Sequence, residues 1–433
     1  MASPFNSTEP ATRRERFAWC MYDFANSGFT TVILTAIFNA YFVGVIAAGN
    51  GNGHATLLWT LTIAASNMLV LLSAPVVGAI ADYSGAKKRF LTATTIGCVL
   101  FTALLYFAGP GDVALAVVLV ILATFMFSSG ENLIAAFLPE IGTPETMGRL
   151  SGYGWALGYF GGLLSLVLCL FYVTYAEEQG MAAADYVPVT NLIVAVLFAL
   201  AALPTLLWLR ERVDVSASFD GTKAIREGFK RLNTTWRQAR LHTDLFRFLG
   251  ALTGYYAGIY IVIVLAAVYA QEVMGFKTQD TIMLIMVVNV TAAVGAFLFG
   301  HLQDRIGSKR CIAITLLIWI VAILCAYFAV EEWLFWVAAN LIGTALGGAQ
   351  SAGRALVGQF TPEGRQGEFF GLWGLATKLS AIIGPLTYGG MIYLFAGDHR
   401  IALLSTLVFF IFGLVLLATV NEKRGREMAK IGY

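Results

Sequence analysis

Charge is scarce in this chain: Asp, Glu, Lys and Arg make up 12% of its 433 residues, hydrophobic residues make up 58%, and the mean hydropathy is +0.74. That scarcity excludes a soluble globule, because a water-facing domain of this length cannot enclose so much apolar side chain. Cysteine is also sparse. Cys20, Cys98, Cys169, Cys311 and Cys325 stand singly in or beside apolar stretches with no paired spacing, which argues against a disulfide framework and against a zinc site. His54, His242, His301 and His399 are equally scattered, so no metal centre is expected. No nucleotide-binding loop or nucleophile constellation is present either, and neither enzymatic activity nor a cofactor is expected. A formal charge of +2 offers no support for nucleic-acid binding. Arg13, Arg14 and Arg16 precede a long apolar stretch without a small-residue cleavage site, so that stretch reads as a retained first helix rather than a leader.

What the chain has instead is long apolar runs. Segments long enough to span a membrane fall at about 17–46, 57–81, 90–108, 113–139, 150–175 and 188–209, and again at about 246–271, 281–300, 311–330, 333–357, 368–396 and 400–420. The expected fold class is therefore all-α, a polytopic membrane protein of twelve transmembrane helices in two pseudo-symmetric six-helix bundles. The expected organisation is an N-terminal bundle over 1–209, a linker over 210–244 and a C-terminal bundle over 245–433. Under this threading twenty-five Lys and Arg residues lie on the side of the termini and two, Lys277 and Arg400, on the other, which places both termini in the cytoplasm of a cell with this protein in its inner (plasma) membrane. Within the linker Ile225, Phe229, Leu232 and Trp236 recur at helical spacing among basic residues, as in an amphipathic helix on anionic lipid; a solvated basic loop fits the same pattern.

The chain also repeats itself. After helix 2 stand Gly78, Asp82, Gly85, Lys87, Lys88 and Arg89, and after helix 8 stand Gly300, Asp304, Arg305, Gly307, Lys309 and Arg310, with Gly, Asp, Gly and Lys at a constant offset of 222. Thr143-Pro144-Glu145 and Trp155 are echoed by Thr361-Pro362-Glu363 and Trp373 at an offset of 218. Two echoes in corresponding places argue for an internal duplication.

The pattern G-xxx-D-xx-G-x-K-[KR] in both halves resembles the signature loop of the major facilitator superfamily. Trp19 to Ser27, Ala136 to Ile141, Gly152 to Tyr159, Phe370-Gly371 and Gly384-Pro385 further resemble the bacterial "unknown major facilitator" family, which is related to autophagy-linked vacuolar amino-acid effluxers of fungi. The resemblance implies a transporter fold, with helices 1, 4, 7 and 10 lining a central cavity and helices 2, 5, 8 and 11 at the interface between halves, and it suggests amino-acid export. The repeated motif is expected to act as a conformational latch. Its glycines allow close approach, and a carboxylate at a helix end can cap a helix start in the other half, so Asp82 is expected to hold helix 11 near Gly367 and Asp304 to hold helix 5 near Gly148. Helix 4 carries no Arg in its membrane portion, where many proton-driven facilitators have one, so their coupling scheme does not transfer.

Ionisable groups in hydrocarbon are costly and therefore point to function. Glu131 lies about 14 Å from the terminus-side end of helix 4, Lys378 roughly 15 Å into helix 11 and Asp23 about 9 Å into helix 1. Glu131 and Lys378, of opposite charge and similar depth, are the expected substrate or proton-coupling pair; a structural ion pair is the bland alternative. Arg354 reads as a snorkelling residue at the end of helix 10. Asp23, Asn26, Asn132, Gln350 and Tyr256, with Tyr255 and Tyr260, are candidates for a polar and aromatic pocket. Gly154, Gly158 and Gly162 share one face of helix 5 and are expected to pack on helix 8. The expected function is alternating-access transport of a small polar or zwitterionic solute, with protons as a candidate coupling ion and a monomer as the expected unit in the lipid bilayer. The competing readings are efflux of amphipathic compounds or lipid and cell-wall fragments, and a non-transporting membrane receptor.

Overall fold

The computed structural model describes residues 10–50, 52–212, 242–395 and 398–430, together with Arg226, Lys230 and Thr234. The amphipathic pattern of Ile225, Phe229, Leu232 and Trp236 lies outside the described residues. Among the described residues there are helices and turns and no strand. Twelve long helices follow one another: α1 (Arg13–Ile46), α2 (Asn52–Ser84), α3 (Lys87–Leu104), α4 (Val113–Ala135), α5 (Met147–Glu178), α6 (Ala183–Trp208), α7 (Thr243–Glu272), α8 (Thr278–Ile306), α9 (Ser308–Phe328), α10 (Glu332–Gln359), α11 (Gln366–Leu394) and α12 (His399–Ala418). A short α13 (Glu422–Lys430) follows. Eleven of the twelve are long and apolar enough to cross a membrane. The exception, α10, has 28 residues but is more polar, with Asn340, Gln350 and Arg354 among small side chains.

Local chemistry sets the helix ends. Thr12 and Glu15 form a reciprocal cap at the start of α1, and Asp398 accepts from the Arg400 and Ile401 N–H groups at the start of α12. The turns from α2 to α3 and from α8 to α9 need backbone that only glycine adopts freely, which Gly85 (φ 58°) and Gly307 (φ 90°) supply. α1 opens from α-helical into wider π-helical turns over Phe29–Ala36 and Phe42–Ile46.

The buried apolar side chains form two large clusters, one drawn almost wholly from α1–α6 and the other from α7–α12. Across the boundary α2 packs along α11, and α5 along α8. Burial along α10 and α11 is one-sided. From Ala345 to Phe360 every residue but Gln350 is buried, as is every residue from Gln366 to Gly374. At their other ends Trp333 and Val337 of α10, and Leu386, Tyr393 and Leu394 of α11, are exposed. The two groups of helices are thus closed against each other at the end that carries the termini.

Candidate functional site

Two crossings seal the terminus side. At the end of α2 the Asp82 carboxylate accepts from the Gly367 and Glu368 N–H groups, each at 2.8 Å, and so satisfies the bare donors at the start of α11. The helices approach closely because there are no side chains between them: a Cβ on Gly371 would sit 2.6 Å from the Ala74 carbonyl oxygen, and one on Gly78 would run into the Gly367 carbonyl. Lys87, with no exposed surface, pairs with Glu140, lies 3.8 Å from Asp82 and donates to Gln366 Oε1 at 3.5 Å. At the second crossing Asp304 of α8 accepts from Gly148 N–H (2.9 Å) and Arg149 N–H (3.2 Å) at the start of α5, with Gly300 against Gly152. Lys309 does not join this crossing. Its ammonium donates to the Ala418 and Val420 carbonyls, both at 2.7 Å.

An outer carboxylate repeats in each half. Glu211 accepts from Lys87 and Lys88 N–H at the start of α3, and Glu422 from Ser308 and Lys309 N–H at the start of α9. Burial holds the Glu211 carboxyl above the usual carboxylate range, opposed by those two backbone donors. Of the basic motif residues, Lys88 gives its backbone N–H to Glu211 and lies within electrostatic reach of it, and Arg89, Arg305 and Arg310 are exposed.

One turn deeper, the reading of Arg354 as a snorkelling residue is overturned. Arg354 is 2% exposed, and its guanidinium pairs with Asp23 of α1 at 2.7 Å. It also donates to the Ser151 hydroxyl (3.1 Å) and carbonyl (3.0 Å) and lies over the rings of Trp19 and Trp155 at 4.7 and 5.3 Å. Every one of these partners belongs to α1 or α5. The chain is held inward because the packed Trp rings and the carboxylate offer a better site than the membrane surface, about 7 Å away along the helix. The glycine face of α5 is corrected by the same contacts. A Cβ on Gly154 would meet Asp23, Arg354 and Trp19, and one on Gly158 or Gly162 would meet Ser27 or Thr31, so this face receives α1; the glycines that face α8 are Gly148 and Gly152.

Above this floor the hydroxyl of Tyr159 (α5) donates to Gln350 (α10). Glu131 of α4 and Lys378 of α11 are both partly exposed and within electrostatic reach of each other, and among the described residues no ion pair within 4 Å and no hydrogen bond joins them. Tyr256 lies edge-on to Tyr260, Glu131 is near both, and Tyr159 is near Tyr256. The Tyr256 hydroxyl and the Asn132 amide nitrogen are buried without partners, and Asn132 fills the space that Gly374 of α11 leaves. Asn26, on α1, is buried. Tyr255 sets its hydroxyl against Gly353 and its Cβ against Gly413, with its ring 5.2 Å from that of Tyr256. α1 and α4 thus supply two acids, Asp23 and Glu131, and α10 and α11 supply two bases, Arg354 and Lys378. One acid–base couple is closed and the other open. No group of His, Cys, Asp and Glu suited to a metal ion occurs among the described residues.

The model of the family described as "Vacuole effluxer Atg22 like" matches residues 11–430. The uncharacterised MFS-type transporter YxiO of Bacillus subtilis is 27% identical over 424 residues, covering 97% of both chains. Autophagy-related protein 22 of Yarrowia lipolytica is 25% identical over 70% of this chain and 56% of its own length, so the match spans about half of the fungal protein. Among solved structures, the proton:xylose symporter XylE superposes with a TM-score of 0.74 at 14% identity over 96% of this chain and 97% of its own. The human organic anion transporter MFSD10 gives 0.72 at 15% identity over 94% and 100%. At such identities these likenesses establish the major facilitator fold.

Proposed function

This chain belongs to the Atg22-like family of vacuole effluxers and is a multi-pass membrane transporter, and from that premise we propose that it moves a small zwitterionic solute of the amino-acid class by alternating access, in the direction of export. The carrying observation is the open couple of Glu131 and Lys378, an acid and a base from opposite halves that lie within electrostatic reach of each other without forming an ion pair. A desolvated charge without a partner is costly, and a solute presenting an ammonium to Glu131 and a carboxylate to Lys378 relieves both at once while drawing the halves together. The surrounding tyrosines supply apolar ring faces and hydroxyl donors for the rest of the solute. The two carboxylate crossings support a switch between states, since each joins helices that must part when the terminus side opens. The excess of Lys and Arg on that side supports cytoplasmic termini in a plasma membrane, which makes the closed side cytoplasmic and the open side external.

Counterflow of labelled amino acids in proteoliposomes tests this reading. Glu131→Gln and Lys378→Met each abolish counterflow while folded protein is still recovered by size-exclusion chromatography, and decarboxylated amines fail to compete. Undiminished counterflow in the double variant would overturn the assignment of this couple.

A further inference from the structure

We infer that Asp23 is the proton-coupling acid, and that breaking its pair with Arg354 links opening of the terminus side to uptake of one proton; this rests on the alternating-access reading above. Arg354 sits on α10, and all its polar and aromatic partners sit on α1 and α5: Asp23, Ser151, Trp19 and Trp155. The pair therefore straddles the surface along which the halves must separate, and it cannot survive that separation. Both partners are almost wholly enclosed, with side-chain exposures of 3% for Arg354 and 9% for Asp23.

What remains around Asp23 after Arg354 leaves decides its protonation. On its own helix the near neighbours are Trp19, Cys20 and Tyr22, none of them cationic, and the helix's arginines, Arg13, Arg14 and Arg16, lie about two turns or more away towards the terminus side. From α5 the neighbours are Gly154 and Gly158, which carry no side chain, and from α4 the nearest charge is Glu131, a second acid. α6, also packed on α1, presents the Thr205 hydroxyl to the Ala18 carbonyl rather than a charge. Among the described residues Arg354 is the one cation within electrostatic reach of Asp23. A bare carboxylate beside another acid in a membrane interior is relieved by taking a proton from the water that enters as the halves part, and that proton is given up again when Arg354 returns. Lower pH therefore favours the state open at the terminus side, and higher pH the closed state.

The test uses the full chain in lipid nanodiscs with spin labels at Glu145 and Glu363, exposed positions in the two loops of the terminus face, and reads the distance between them from pH 8 to pH 5. In the wild type the open-to-closed ratio rises by up to tenfold per pH unit, the limit for one linked proton. Asp23→Asn loses this dependence and Asp23→Glu keeps it. Because Asp23→Asn leaves a buried guanidinium unpaired, the double variant Asp23→Asn with Arg354→Gln, which leaves no orphan charge, is the folded control and is also insensitive to pH. A pH response that persists in the double variant overturns the inference and leaves the transport reading standing. So does a pH-insensitive wild type whose mouth still opens when Asp82 and Asp304 are both changed to Asn. A mouth that opens under none of these conditions overturns both.

Discussion

Asp82 and Asp304 perform the same geometric task, each carboxylate spanning two N–H groups at the start of a helix from the other half, but their surroundings differ. Around Asp82 lie a fully buried Lys87, the carboxylate of Glu140 and Gln366. Around Asp304 lies Arg149, half exposed at 49%, with 3.5 Å between the charged atoms. The reason is one residue. Lys87 tolerates burial because Glu140 meets it, whereas the residue 218 positions beyond Glu140 is Gly358, so Lys309 has no acid to enter for and turns to the carbonyls at the end of α12. A motif that recurs in both halves thus serves one crossing that depends on a closed set of buried charges and one that depends mainly on backbone caps. Buried charges are expensive to separate and surface pairs are not. The Asp304 crossing should accordingly yield first as the terminus side opens, with the Asp82 crossing as the stiffer seam.

Lys87→Met breaks this comparison most severely, since it strands Asp82 and Glu140 without a counter-charge; a loss of about 3 kcal/mol or more is expected, read as a fall in folded, monodisperse yield and thermal midpoint. The matched Lys309→Met should cost far less, and equal losses would remove the asymmetry. Asp82→Asn weakens two charge-assisted caps and unbalances Lys87, at about 2 kcal/mol, against about 1 kcal/mol for Asp304→Asn, so spin-label distances across the terminus mouth should lengthen in a larger fraction of molecules for the first. A larger shift with Asp304→Asn would reverse the assignment of the stiff seam. The smallest effect belongs to Arg149→Ala, below about 0.5 kcal/mol, because a half-exposed pair is screened by water; a shift comparable to that of Asp304→Asn would show that the ion pair rather than the caps holds this crossing.

The partners of Asp82 and Asp304 were legible because a repeated motif at a helix end specifies both its own position and that of the helix it meets. Arg354 was misjudged because distance from a helix end looks like access to water when only depth is known. What its depth did not reveal is that Gly154, by lacking a side chain, leaves room for the guanidinium between Trp19 and Trp155. The same limit applies to the glycine face of α5. Spacing identified a smooth face, and spacing does not say which neighbour it meets.

The all-α class, the succession of long apolar helices and the recurrence of one motif in both halves were determined by the sequence alone, because apolar length and motif recurrence are properties of short stretches of chain. The pairing of charges was decided only in the tertiary structure. Glu131 and Lys378 match in depth and in sign, but whether two charges meet also depends on where each points around its helix axis and how far apart the axes lie. Those quantities, set by which glycine faces let which helices close, join Asp23 to Arg354 and leave Glu131 and Lys378 apart.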